Sequence, residues 1–235
     1  MTHHGDLLRI GLFGGTFNPI HRCHLVVAAQ ARDRLSLDRV LFIPSGDPPH
    51  KPPGTLAPAH HRVEMVRRAI AAEPTFLVSE VEVRRPALSY SIDTVHALGA
   101  EFGAGTGLFF LVGLDAFLQF PSWRQAPELL KLCHFVVMSR PGAAFRSLSD
   151  LALLPRIPIA SLAALDAGQL GRLDLPIPGG TLLILLALPP CDASSSAIRR
   201  RIRQRLNASA LLPASVESYI IQSGLYQEET DRTGV

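Results

Sequence analysis

The chain has 235 residues, enough to bury a sizeable core in one large domain or in one domain with a lobe. Hydrophobic residues make up 47% and charged residues 18%, which excludes a disordered or highly charged chain, and a net charge of +3 makes no overall case for nucleic-acid binding. The most apolar window, Thr181 to Leu188, ends at Pro189-Pro190 and is far too short for a membrane span.

The start MTHHGDLL lacks a basic n-region and a long apolar core, so a cytosolic protein is expected. Cys23, Cys133 and Cys191 are widely spaced and odd in number. They are expected to form no disulfide framework, in keeping with a reducing compartment.

In chain order, the apolar run Arg9 to Phe13 predicts a buried strand that ends in Gly14-Gly15-Thr16. Arg22 to Leu35, rich in Ala and Leu and free of Gly and Pro, predicts the helix that follows. Further strands are predicted over Arg39 to Ile43, Phe76 to Val83, Leu108 to Val112, His134 to Met138 and Leu182 to Leu188. Between them, helices are predicted over His60 to Ala72, where Val63, Val66 and Ile70 make an apolar stripe, and over Ile92 to Phe102 and Pro127 to Leu132. Ser196 to Asn207 and Ala214 to Ser223 close the series. Pro44 to Pro58 holds six prolines and two glycines and reads as a long loop carrying His50 and Lys51. The stretch 143–180 gives two possible helical pieces and no chemistry.

Apolar strands alternating with helices predict an α/β fold: a Rossmann-like, open, mainly parallel sheet with helices on both faces, followed by a small C-terminal helical part. The ligand site should lie beyond the carboxyl ends of the strands. Those ends are Gly14-Gly15, Pro44 to Lys51, Gly113 to Asp115 and Ser139 to Pro141. The core is expected over 8–190, a helical part completing a phosphate site over 191–226, and flexible ends over 1–7 and 227–235.

The strand, glycine turn and helix at Gly14 to His24 form a place where backbone N–H groups can face phosphate at the positive end of a helix. His21 and His24 sit one turn apart at that same end. Neither the dinucleotide fingerprint nor the P-loop pattern occurs in the chain. His21, Cys23 and His24 also permit a zinc reading, though no second Cys/His cluster lies near them in sequence. Ser194-Ser195-Ser196 ahead of Arg199 makes a second anion-ready helix start. Arg199, Arg200, Arg201, Arg203 and Arg205 cannot all face one ligand, and no aromatics interleave them as in a single-strand binder. Asp115 follows Gly113 at a strand end, where a carboxylate suits ribose hydroxyls. Trp123 could close the core or stack on a planar ring.

These segments together resemble the nicotinate-nucleotide adenylyltransferase family of the nucleotidyltransferase superfamily. The matching pieces are GLFGGTFNPIHRCHL (11–25), FIPSGDPPHK (42–51), EVEVRRPALSYSIDTV (80–95), FFLVGLDAFLQFPSWRQAPELL (109–130), HFVVMSRPG (134–142), ASSSAIRRRI (193–202) and LLPASVESYIIQSGLY (211–226). The resemblance implies catalytic roles for His21, His24 and Arg199. It implies ATP contacts from Gly14, Gly15, Thr16, Phe17, Lys51, Gly113, Asp115, Ser195 and Ser196. Tyr90, Ser91, Trp123 and Arg124 would surround nicotinate mononucleotide. Cys23 departs from the glycine usual between the two histidines. The implied reaction joins ATP and nicotinate mononucleotide into nicotinate adenine dinucleotide and pyrophosphate. Mg2+ would be held mainly by phosphates, with no metal ligand from protein side chains. No nucleic acid or membrane partner is implied, and a monomer and a homo-oligomer both fit. The alternatives are a sibling enzyme acting on nicotinamide mononucleotide or phosphopantetheine, and, of another class, a non-catalytic nucleotide- or RNA-binding module.

Overall fold

The structure is a computed structural model that describes residues 7–49 and 55–227. His50, Lys51 and the end segments 1–6 and 228–235 lie outside the described residues. Seven strands form one sheet: β1 (Leu8–Gly15), β2 (Arg39–Pro44), β3 (Phe76–Val78), β4 (Thr106–Gly113), β5 (His134–Met138), β6 (Arg172–Pro176) and β7 (Leu182–Leu186). Their order is β3-β2-β1-β4-β5-β7-β6, and every pair is parallel except β6 with β7. The expected mainly parallel sheet is therefore present, with an antiparallel edge strand that its sequence did not announce.

Alternation along β1 explains the two-sided core. Ile10 and Leu12 enter one apolar layer with Phe110 and Phe135, while Phe13 enters the other with Phe42, Phe109 and Val136. Eight helices join the strands or close the chain: α1 (Arg22–Leu35), α2 (Ala59–Ile70), α3 (Ser91–Phe102), α4 (Leu114–Phe117), α5 (Ala126–Leu132), α6 (Ile159–Asp166), α7 (Ser195–Arg203) and α8 (Ala214–Gln222). The stripe of Val63, Val66 and Ile70 on α2 is buried as its spacing requires. Ile198 of α7 and Val216 and Ile220 of α8 join the same layer as Phe13, so the C-terminal helices pack on the core rather than apart from it.

Three local expectations need correction. The strand read over Phe76 to Val83 stops at Val78, because the chain then turns, with the Arg84 N–H donating to the Glu80 carbonyl and Arg85 to Glu82. In the stretch 143–180 the two helical pieces are present, as a 3-10 helix over Phe145–Asp150 and as α6, and the correction is the added strand β6. Third, the cysteines do pair: Cys23 and Cys191 form a disulfide across a sequence separation of 168, while Cys133 stays free and buried. The fold brings the start of α1 beside the segment entering α7, a proximity that counting and spacing cysteines cannot reveal.

The strand order reverses at β1, which has β2 on one side and β4 on the other. Such a switch point opens a crevice at the carboxyl ends of the strands.

Candidate active site

A cavity of about 770 Å³ occupies that crevice. Its wall includes Gly14, Gly15, Thr16 and Phe17 from the end of β1, His21 and His24 from the start of α1, Gly113 and Asp115 from the end of β4, and Ser195, Ser196 and Arg199 from α7. Residues read from three separate stretches of sequence thus meet around one space. Ser194, read as part of the second helix start, and Ser139 and Arg140, read only as a strand end, also line it, together with Asn18, for which no role was read from sequence. The signal for Ser139 and Arg140 was their place at a strand end, directly after β5.

The turn after β1 has a clear steric logic. A Cβ on Gly14 would project into open space, whereas one on Gly15 would press on the Phe17 ring at 3.2 Å. Phe17 holds a left-handed backbone (φ +46°), unusual for a bulky residue, while its ring is buried against Phe13, Phe42 and His24. Beneath the turn lies Arg62, only 2% exposed. Its guanidinium donates to the carbonyls of Thr16 (2.9 Å), Ala57 (2.9 Å) and Gly46 (3.2 Å).

The histidine rings stack at 3.7 Å, and the His21 backbone N–H donates to His24 Nδ1 at 3.1 Å. An accepting Nδ1 places the proton of neutral His24 on Nε2. Burial, with help from Arg140, lowers the His21 pKa to about 4. Burial, then His21 and Arg140, draw His24 well below its ordinary value. Both rings are therefore neutral hydrogen-bond donors near pH 7 in the protein alone. Among the described residues His21 Nδ1 is buried without a partner, an unusual state that a ligand atom could satisfy.

Opposite them, Ser194 caps α7 by accepting the Ala197 N–H at 3.2 Å. Ser195 Oγ donates to the Pro19 carbonyl at 2.9 Å, and Arg199 donates to the Asn18 carbonyl at 2.7 Å. The Cys23–Cys191 bond and the Ala193 N–H on Cys23 Sγ at 3.3 Å add to this seam between the two helix starts. Asp115 is exposed and faces Arg140 at 3.9 Å. It is the one carboxylate among the described residues lining the cavity, and none of those residues form a group of three possible metal ligands.

Not everything singled out from the sequence meets there. Arg124 lies over the Tyr90 ring at 4.7 Å, and Trp123 packs on Phe110 and Phe120. These residues and Ser91, the first residue of α3, form a neighbouring region outside the cavity lining. Lys51 lies outside the described residues. A second cavity of about 700 Å³, between α7 and α8, shares none of the glycine-turn or histidine residues.

Comparison with known proteins gives this geometry a context. The cytidylyltransferase-like family model matches residues 12–201, a span that contains both helix starts. A protein of Pelobacter propionicus described as a probable nicotinate-nucleotide adenylyltransferase is 40% identical over 225 residues, covering 94% of this chain and 99% of its own. Another of that description from Geobacter metallireducens is 41% identical, covering 94% of this chain and all of its own. The chain belongs to the nicotinate-nucleotide adenylyltransferase family. A solved structure of Plasmodium falciparum nicotinic acid mononucleotide adenylyltransferase complexed with NaAD shares the fold, with a TM-score of 0.68 at 17% identity over 93% of this chain and 97% of that one.

Proposed function

We propose that the protein transfers the adenylyl group of ATP to nicotinate mononucleotide. The acceptor's 5′-phosphate oxygen attacks the α-phosphorus, a new P–O bond forms, and the bond to the pyrophosphate leaving group breaks. The observation that carries this reading is the convergence of two helix N-termini on one cavity, each with its own donors, His21 and His24 on one side and Arg199 with the serines on the other. Family membership supports the choice of substrates.

Two neutral imidazoles suit this chemistry, because the nucleophile is a phosphate already ionised near neutral pH and needs no general base. The work left to the protein is alignment of two polyanions and stabilisation of charge on the leaving group. His24, with its proton on Nε2, donates to that charge. Arg199 offers a fork of N–H groups from the other side. Lys51 would add a cation from the proline-rich loop. Among the described residues no group of three possible metal ligands forms, and Mg2+ would sit mainly on the phosphates, where it would supply charge neutralisation. Asp115 would meet ribose, and Tyr90, Ser91, Trp123 and Arg124 would receive the nicotinate ring.

The test follows pyrophosphate release with ATP, Mg2+ and either nicotinate or nicotinamide mononucleotide. The acid is expected to be preferred by roughly ten- to a hundredfold in kcat/KM, since an amide would set its NH2 against donors arranged for a carboxylate, a mismatch costing about 1–3 kcal/mol. His24→Ala is expected to lower turnover about 10²-fold or more. Near-equal use of the two mononucleotides would remove the substrate assignment and leave adenylyl transfer standing. Unchanged turnover in His24→Ala would remove the assigned role of that histidine.

A further inference from the structure

We infer that Arg62 is a positioning residue that sets the phosphate turn after β1 against the start of the loop after β2, which reaches the Tyr90 region, an inference that rests on the proposed adenylyl transfer. Arg62 lies on α2 and is not among the residues lining either cavity described above, yet its guanidinium ties together three separate backbone segments. Thr16 belongs to the turn after β1, Gly46 to the loop after β2, and Ala57 to the approach to α2.

The bond to Thr16 has a directional consequence. In a planar trans peptide the C=O and the N–H point opposite ways. Pulling the Thr16 carbonyl toward Arg62 in the interior turns the Phe17 N–H outward, to the side of the cavity that Thr16 and Phe17 line. The same peptide enters the left-handed Phe17, a conformation that persists only where its surroundings over-determine it. Arg62 supplies part of that determination, and the buried ring supplies the rest.

On the other side, Gly46 is gripped from two directions. Its carbonyl accepts from Arg62 and its N–H donates to Ser89 Oγ at 3.2 Å. A Cβ there would meet the Glu82 carbonyl oxygen at 2.3 Å. Ser89 is next to Tyr90, and its N–H in turn donates to the Asp47 carbonyl at 2.9 Å. Arg62 therefore connects the phosphate turn with the loop that reaches the Tyr90 region through one rigid planar group.

Stability alone does not account for a cation at this depth. Its direct partners are carbonyls, and Glu82 attracts it without pairing. Replacing a buried charge by a well-packed apolar side chain is commonly neutral or stabilising. What an apolar side chain cannot do is fix three carbonyls at once, and Lys, with no planar fork, cannot reproduce that geometry either.

The experiment compares the parent with Arg62→Lys and Arg62→Gln. Steady-state kinetics use whichever mononucleotide the parent turns over, so a wrong substrate assignment appears in the parent and leaves the variants informative. Calorimetry measures binding of a non-hydrolysable ATP analogue and of the mononucleotide separately, and thermal melts report the fold. For Arg62→Lys we expect a kcat lower by about 10- to 100-fold, as for a misplacement of roughly an ångström. Each separate affinity should stay within about threefold of the parent, and Arg62→Gln should lie as low or lower. A parental kcat in the folded variants would overturn the inference. So would a loss of separate affinity that matches the loss of kcat, or failure of both variants to fold, since Arg62 would then be structural only.

Discussion

A depressed histidine pKa ties the site to the stability of the molecule. His21 titrates near 4 in the folded protein because burial disfavours its charged form, whereas an unfolded histidine titrates near 6.5. Between those values the unfolded chain binds more protons than the folded one, so the stability contributed by neutral His21 is complete above pH 6.5 and drains away as the pH falls toward 4. The linkage amounts to about 3 kcal/mol for His21, and the His24 shift has the same sign. Thermal melts from pH 7.5 to 4.5 should show the parent losing stability faster than His21→Gln, and parallel curves would contradict the burial argument. Arg199 differs in kind from its neighbours on α7. It lines the cavity and donates to the Asn18 carbonyl, while Arg205 stands past the end of α7 beside the other cavity. Arg199→Lys should lower kcat/KM by at least about tenfold and Arg205→Lys should leave it within twofold. Equal losses in steady-state assays would point to a diffuse basic surface.

Among the elements, α7 concentrates several duties at one end. Ser194 satisfies an amide of the first turn, Ser195 reaches Pro19, and Ser195, Ser196 and Arg199 line the cavity. Ser194→Ala should cost about 1 kcal/mol of stability through the lost cap. It should also raise KM for ATP, because a frayed first turn no longer presents its amides together. A melt that falls while KM stays constant would confine Ser194 to capping. Sequence pattern made this helix legible, together with α1 and strands β1, β2, β4, β5 and β7, because each is an apolar or amphipathic segment bounded by Gly, Pro or Ser. It failed where local pattern is weak. β6 is an edge strand of five residues that meets only β7, and its identity comes from that pairing rather than from its own composition. The site was legible wherever a glycine, histidine or serine stood at a strand end. Arg140 sat at such an end, inside a segment that matched the family, but no role was assigned to its side chain. Arg62 reads as one more charge on an amphipathic helix, since nothing in its spacing announces three distant carbonyls.

For the molecule as a whole, the Cys23–Cys191 bond closes most of the chain into one covalent loop. Cross-links of this kind typically contribute about 2–4 kcal/mol by restricting the unfolded ensemble, which for a chain of this size is on the order of 5–15 °C in melting temperature. Adding a dithiol reductant should lower Tm by that amount in the parent and have no effect in Cys191→Ser. Identical melts with and without reductant would show that the pairing carries no stability.

The same seam bears on how the cavity can widen. The disulfide, Ser195 on Pro19, Arg199 on Asn18 and Ala193 on Cys23 rivet the first turn of α1 to that of α7. A vice with one jaw bolted down opens only by moving the other. On the far wall, exposed Asp115 and half-buried Arg140 face each other at 3.9 Å, a lighter tie across the mouth of the cavity. One covalent bond and three hydrogen bonds on one side, against a long surface ion pair on the other, would direct any widening of the cavity toward Asp115.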